Sequence, residues 1–156
     1  SIPADRLRRP LNSIVRAQYR YRPMKRDTKT QGAALCLELA AACMRKGAVV
    51  SEPYGDNAPY DLVVEKVGVF KRVQVKVSHA TNGTFNGTKK IPSPTTKTSG
   101  KKPSSTSVPY SAGTIDVVAT RFKDKWYFYQ NLSQLSSQHK VVSGCTEEEA
   151  WSALGL

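Results

Sequence analysis

The chain has 156 residues, 39% of them hydrophobic, which suits one core of the size that about 100–200 residues usually build. It contains no run near the roughly 18 consecutive apolar residues a membrane span needs, and Ser1-Ile2-Pro3-Ala4-Asp5-Arg6 lacks the apolar stretch of a secretory signal, so neither insertion nor export is expected. Charge is the main anomaly: 24 Lys+Arg against 12 Asp+Glu leave +12, which points to a polyanionic partner, nucleic acid foremost.

Residues 1–30 hold seven Arg and two Lys against two Asp, a net +7, interleaved with Tyr19 and Tyr21. Without sustained periodicity they read as a basic N-terminal arm, with Arg16, Arg20, Arg22, Lys25 and Arg26 as its expected DNA contacts. Gln31 to Lys46, rich in Ala and Leu and followed by Gly47, is predicted to be a helix. From Ala33 to Met44 it is apolar all round, as in a buried helix, with Glu38 the exception.

Ala48–Glu52 reads as a short strand and Pro53–Asn57 as a loop. Tyr60–Lys66 and Val69–Ser78 are β-rich runs around Val67-Gly68, and a two-residue turn there pairs Lys66 with Val69 and Asp61 with Gln74. Leu62, Val64, Val73, Val75 and Val77 then share one face, while Asp61, Val63, Arg72, Gln74 and Lys76 share the other.

Residues 79–108 carry five Lys and no acid, in a Thr/Ser/Gly/Asn/Pro composition that cannot bury itself. They read as a long basic loop, with Lys89, Lys90, Lys97, Lys101 and Lys102 suited to phosphate contact. The stretches 31–46 (+1), 47–78 (0) and 109–156 (−1) cancel, so a neutral body bears two basic appendages. Thr114–Thr120 and Lys125–Gln130 are predicted strands, and Thr146-Glu147-Glu148-Glu149 a capping box for a short helix through Trp151 and Leu154. The order describes an α/β domain on a mixed sheet.

Cys36, Cys43 and Cys145 are odd in number and fit a reducing compartment, while His79 and His139 have no zinc-ligand spacing. Asn82-Gly83-Thr84, Asn86-Gly87-Thr88 and Asn131-Leu132-Ser133 match the glycosylation pattern, which means little in a chain not expected to be exported.

Glu38, Asp61, Gln74 and Lys76 are the polar residues that stand out. Two carboxylates can hold a hard divalent cation such as Mg²⁺, and a lysine beside it can orient or deprotonate a water and stabilise charge growing on phosphate. Each residue also has a plainer reading: Glu38 as partner of Arg45 or Lys46, Asp61 as a cap of the Pro59-Tyr60 turn, Lys76 as an edge-strand gatekeeper.

Glu38, Gly55-Asp56-Asn57-Ala58-Pro59-Tyr60-Asp61-Leu62-Val63-Val64 and Arg72-Val73-Gln74-Val75-Lys76-Val77-Ser78 together resemble the PD-(D/E)XK nuclease superfamily. Within it the sequence is most similar to group I intron-encoded homing endonucleases of cyanobacterial type, which carry Gln-x-Lys, here Gln74-Val75-Lys76. The resemblance continues through Ile115-Asp116-Val117-Val118-Ala119 and Trp126-Tyr127-Phe128, and so covers roughly residues 31–130.

It implies a restriction-endonuclease-like core over 31–156, a central mixed sheet flanked by helices, with the arm and the 79–108 loop outside the common pattern. It further implies that Asp61, Glu38 and the Val75 carbonyl hold Mg²⁺ or Mn²⁺, that Gln74 positions water or metal, and that Lys76 assists the nucleophile. The expected activity is site-specific cleavage of double-stranded DNA by a homo-oligomer, dimer or tetramer, since one chain offers one active site. A cytoplasmic setting is expected, bacterial, phage-infected or organellar. A Holliday-junction resolvase and a non-catalytic basic DNA-binding protein are the alternatives.

Overall fold

A computed structural model describes residues 27–92, 105–141 and 147–156. Helix α1 (Thr28–Arg45) begins three residues before the predicted start, because Asp27 caps it: its Oδ1 accepts from the Lys29 N–H at 3.1 Å. It ends at Gly47, whose φ of +83° is the left-handed conformation that commonly closes a helix. One face is buried through Leu39 and Cys43, whereas Leu37 and Met44 remain 65% and 62% exposed. The expected all-round burial is not realised among the described residues, since a sheet lies along only one side of the helix.

Strands β1 (Val49–Ser51), β2 (Leu62–Lys66) and β3 (Val69–Val77) form an antiparallel run. The β2–β3 register is the predicted one, Lys66 opposite Val69 and Leu62 opposite Val73. Its turn places Val67 at φ 52° and Gly68 at φ 74°, two left-handed residues as a twist-matched hairpin requires. Beyond these, β4 (Thr84–Phe85), β5 (Thr88–Pro92), β6 (Ser105–Pro109), β7 (Val117–Phe122), β8 (Lys125–Tyr129), β9 (His139–Lys140) and α2 (Glu147–Ser152) follow. The main sheet has the order β1-β2-β3-β7-β8, and β7 lies parallel to β3, so the sheet is mixed.

The pleat gives this sheet two unlike sides. On one, Leu62, Val64, Val73, Val75, Val117 and Ala119 pack with Leu39 and Cys43 of α1 and with Trp151 and Leu154 at the C-terminus. On the other, Val118 packs with Phe85, Tyr110, Ile115, Leu132 and Leu135, and Tyr60 and Tyr129 lie against them.

The segment predicted as a basic loop holds more order than its composition suggests. Strand β4 pairs with β9, and β5 pairs with β6 as a two-stranded ribbon. The Asn-Gly-Thr repeats supply the local turns: Asn82 Oδ1 accepts from Thr84 N–H, and Asn86 Oδ1 from Thr88 N–H, each at 3.0 Å. The repeats that match a glycosylation pattern thus have a structural use. Strand β7 starts three residues later than the predicted Thr114, because Ser111 O accepts from both Thr114 N–H and Ile115 N–H and holds 111–115 in a turn.

Candidate active site

The start of β2 and the end of β3 bring Asp61, Gln74 and Val75 together. Gln74 Nε2 donates to Asp61 Oδ2 at 2.6 Å, and Val75 N–H donates to the same oxygen at 2.8 Å. Asp61 N–H in turn donates to the Val73 carbonyl, which fixes the acid at the mouth of the hairpin. Burial raises the Asp61 carboxyl above its ordinary value, opposed by the Val75 N–H, the charge of Lys76 and the Gln74 amide. A cleft of about 290 Å³ opens on Asp61 and is lined also by Glu52, Asp56 and Tyr60.

Lys76 follows Gln74 by two residues and therefore projects from the same side of β3. Its Nζ lies 5.2 Å from the centroid of the Tyr110 ring. Arg72 completes this polar row and locks the segment after the ribbon. Its Nε and Nη2 donate to Asp116 Oδ2 and Oδ1 at 3.0 and 2.9 Å, and its Nη1 donates to the Gly113 carbonyl at 2.7 Å. This fork holds the Asp116 carboxyl below its ordinary value.

Glu38 departs from expectation. Its carboxylate is half exposed and pairs with Arg121 Nη1, not with Asp61, Arg45 or Lys46. The physical reason is the pleat: Arg121 is opposite Val77 in the β3–β7 register, on the side covered by α1, whereas Gln74 and Lys76 face the other way. The structure thus holds Glu38 beside Arg121 on the α1 side of the sheet, and its carboxylate is not turned onto Asp61 as expected. Glu38 and Asp61 line separate clefts.

Among the described residues no three His, Cys, Asp or Glu side chains cluster as a metal cage. A site of one carboxylate, one carbonyl and waters still suits a hard cation. Two such oxygens converge here: Gln74 Nε2 lies 2.6 Å from Asp61 Oδ2 and 3.5 Å from the Val75 carbonyl oxygen, so an electropositive group already occupies the point they share. The donor set fits a divalent ion.

Of the expected DNA contacts, Lys89 and Lys90 stand exposed on β5. Arg16, Arg20, Arg22, Lys25, Arg26, Lys97, Lys101 and Lys102 lie outside the described residues. Cys43 is buried and Cys36 half-buried, and burial pushes both thiols up to about 11, as expected of structural cysteines; Cys145 is outside the described residues. Sequence reading missed Tyr110, Arg121 and the clamping role of Arg72. The alternation along β3 could have flagged Arg72, but its partner Asp116 depends on a parallel pairing that no local pattern reveals.

A mixed α/β sheet that sets an acid at the mouth of one strand and Gln-x-Lys on the next defines a nuclease core of restriction-endonuclease-like fold. The chain belongs to the PD-(D/E)XK endonuclease family, whose model matches residues 26–149. No curated protein matches it in sequence. Among solved structures, a bacterial homing endonuclease, I-Ssp6803I, superposes with a TM-score of 0.59 at 20% identity, covering 76% of this chain and 80% of that one. That likeness shows the shared fold. No helix among the described residues is long and apolar enough to cross a membrane.

Proposed function

We propose that this endonuclease makes site-specific double-strand cuts in DNA, as a homing enzyme does, with Mg²⁺ or Mn²⁺ as its cofactor. The observation that carries the reading is the convergence of Asp61, Gln74 and the Val75 carbonyl beside Lys76. A divalent ion bound there would polarise the scissile phosphate and lower the pKa of a coordinated water. Asp61 and the Val75 carbonyl would hold it. The Gln74 amide orients Asp61 and can present either its oxygen or its nitrogen to a water. The Lys76 ammonium supplies positive charge where the phosphorane gains negative charge, and it can hold the attacking water.

The basic appendages carry the substrate. On this reading 1–30 is a DNA-binding arm on the 31–156 nuclease domain, with Arg16, Arg20, Arg22, Lys25 and Arg26 as contacts. Lys89 and Lys90 on the ribbon, with Lys97, Lys101 and Lys102, neutralise phosphates. Because one chain holds one such site and a double-strand cut needs two, the working form is a dimer or tetramer in the cytoplasm.

The test is cleavage of a randomised duplex library with Mg²⁺, Mn²⁺ or EDTA, followed by four-way junctions. A metal-dependent cut at one recovered sequence supports the homing reading. Preference for junctions over any duplex assigns a resolvase instead. Binding without cleavage in either metal overturns the catalytic reading.

A further inference from the structure

We infer that Tyr110 is a positioning residue for cleavage: its ring face fixes where the Lys76 ammonium sits. This rests on the reading that Lys76 acts at the scissile phosphate. The Lys76 Nζ lies 5.2 Å from the centre of the Tyr110 ring, within the range where a ring quadrupole attracts an ammonium. Lysine has a flexible four-carbon stem, so by itself it holds no fixed position. Tyr110 is the opposite case.

Tyr110 is only 9% exposed and belongs to the cluster of Phe85, Ile115, Val118, Leu132 and Leu135. Its backbone is tied on both sides. Just before it, Pro109 pairs with Thr88 at the base of the ribbon. Just after it, Arg72 donates to the carbonyls of Ala112 and Gly113 and forks onto Asp116. Arg72, Gln74 and Lys76 share one side of β3, so the strand that carries the lysine also clamps the segment that carries the ring. Tyr60, next to Asp61, packs against the same cluster, so the acid and the lysine are referred to one rigid body.

A second consequence follows from position in the chain. Tyr110 directly continues β6, the second strand of the ribbon that presents Lys89 and Lys90. A duplex seated on the ribbon therefore loads the segment that places Lys76.

The tyrosine hydroxyl has no part in this, so the ring and not the phenol is what matters. The experiment uses the full chain, ¹³C-lysine labelled, as wild type, Y110F, Y110L and Y110M, with K76R to assign the Lys76 Hε signal. Ring-current displacement of that signal is expected in wild type and Y110F and is absent in Y110L and Y110M, with neither metal nor DNA present. With metal and cognate duplex, Y110L and Y110M are expected to slow single-turnover cleavage between about 10- and 100-fold. Their DNA affinity should stay within about twofold, and Y110F should restore the rate. An undisplaced Lys76 signal in wild type overturns the contact. Wild-type rates in Y110M, or a rate loss in Y110F equal to that of Y110M, overturn the positioning role. If the wild type does not cleave, the nuclease reading fails while the spectrum still decides the contact. Y110M keeps the test open should Y110L not fold.

Discussion

Arg121 holds the Glu38 carboxylate on the helix-covered side of the sheet, while Gln74 and Lys76 occupy the other side. A half-exposed ion pair of this kind contributes little, on the order of 0–1 kcal/mol. Glu38→Ala is therefore expected to keep single-turnover cleavage within about threefold of wild type and to shift stability by no more than that amount. A loss as deep as that of Asp61→Asn, measured in the same assay, would place Glu38 in the catalytic set.

Asp61 and Asp116 respond to pH in opposite senses. Burial raises the Asp61 carboxyl in the folded chain, so its contribution to stability is fully present below the ordinary aspartate range and is lost as pH rises through the raised value. Above that raised value the bare carboxylate is a liability. Asp61→Asn should then abolish cleavage yet raise the thermal midpoint at neutral pH, and the gap should close on acidification. Asp116 is lowered by the Arg72 fork, so its contribution is present above the ordinary range and fades as pH falls through the lowered value. Asp116→Asn should lower the midpoint at neutral pH and do so less in acid. Thermal melts of both variants across pH 3–8 check the two signs.

Gln74→Glu replaces the amide, whose Nε2 stands 2.6 Å from Asp61 Oδ2, with a second carboxylate beside the first. Without a cation the two acids repel, and the folded state loses the hydrogen bond as well. The variant is expected to melt below wild type in EDTA and to gain more than wild type when Mg²⁺ or Mn²⁺ is added, since a ligand that binds only the folded state raises its stability. Equal metal-induced shifts in the two proteins would mean that the ion does not bind at this pair.

Val67 sits at φ 52° and is 93% exposed, so it bears the cost of a left-handed β-branched residue with little burial to offset it. Val67→Asn gives the turn its preferred Asn-Gly pair and should raise stability by roughly 1 kcal/mol. Urea unfolding should show a higher midpoint with an unchanged slope.

Neutralising Lys89 and Lys90 removes two exposed cations from β5. The K89Q/K90Q chain should bind all duplexes more weakly, with a shallower dependence on salt, by roughly 0.9 in slope for each phosphate that is no longer neutralised. Equilibrium binding between low and moderate salt measures it. An unchanged slope places the ribbon off the DNA.

The hairpin was legible because period-2 alternation and a two-residue turn fix register together, and with it the pairing of Asp61 and Gln74 on one face. Helix α1 was legible from its composition, but its orientation was not. The position of Glu38 relative to the sheet depends on how the helix is rotated against β3 and β7, and its partner Arg121 lies 83 residues away. The β5–β6 ribbon was hidden for another reason. Its polar alternation resembles a solvated loop, and its pairing is set by long-range register that no local rule supplies.

The ribbon lies inside the connection between the parallel strands β3 and β7, and its two strands meet at the base where Thr88 opposes Pro109. Chain enters and leaves the core there at one closed gate. Whatever lies beyond the gate can change in length at small thermodynamic cost, about 0.6 kcal/mol for each doubling of a flexible loop. The outer part of the ribbon can thus be lengthened or exchanged while its Thr88–Pro109 base stays closed, and with it Tyr110, Arg72, Gln74 and Lys76 keep their places.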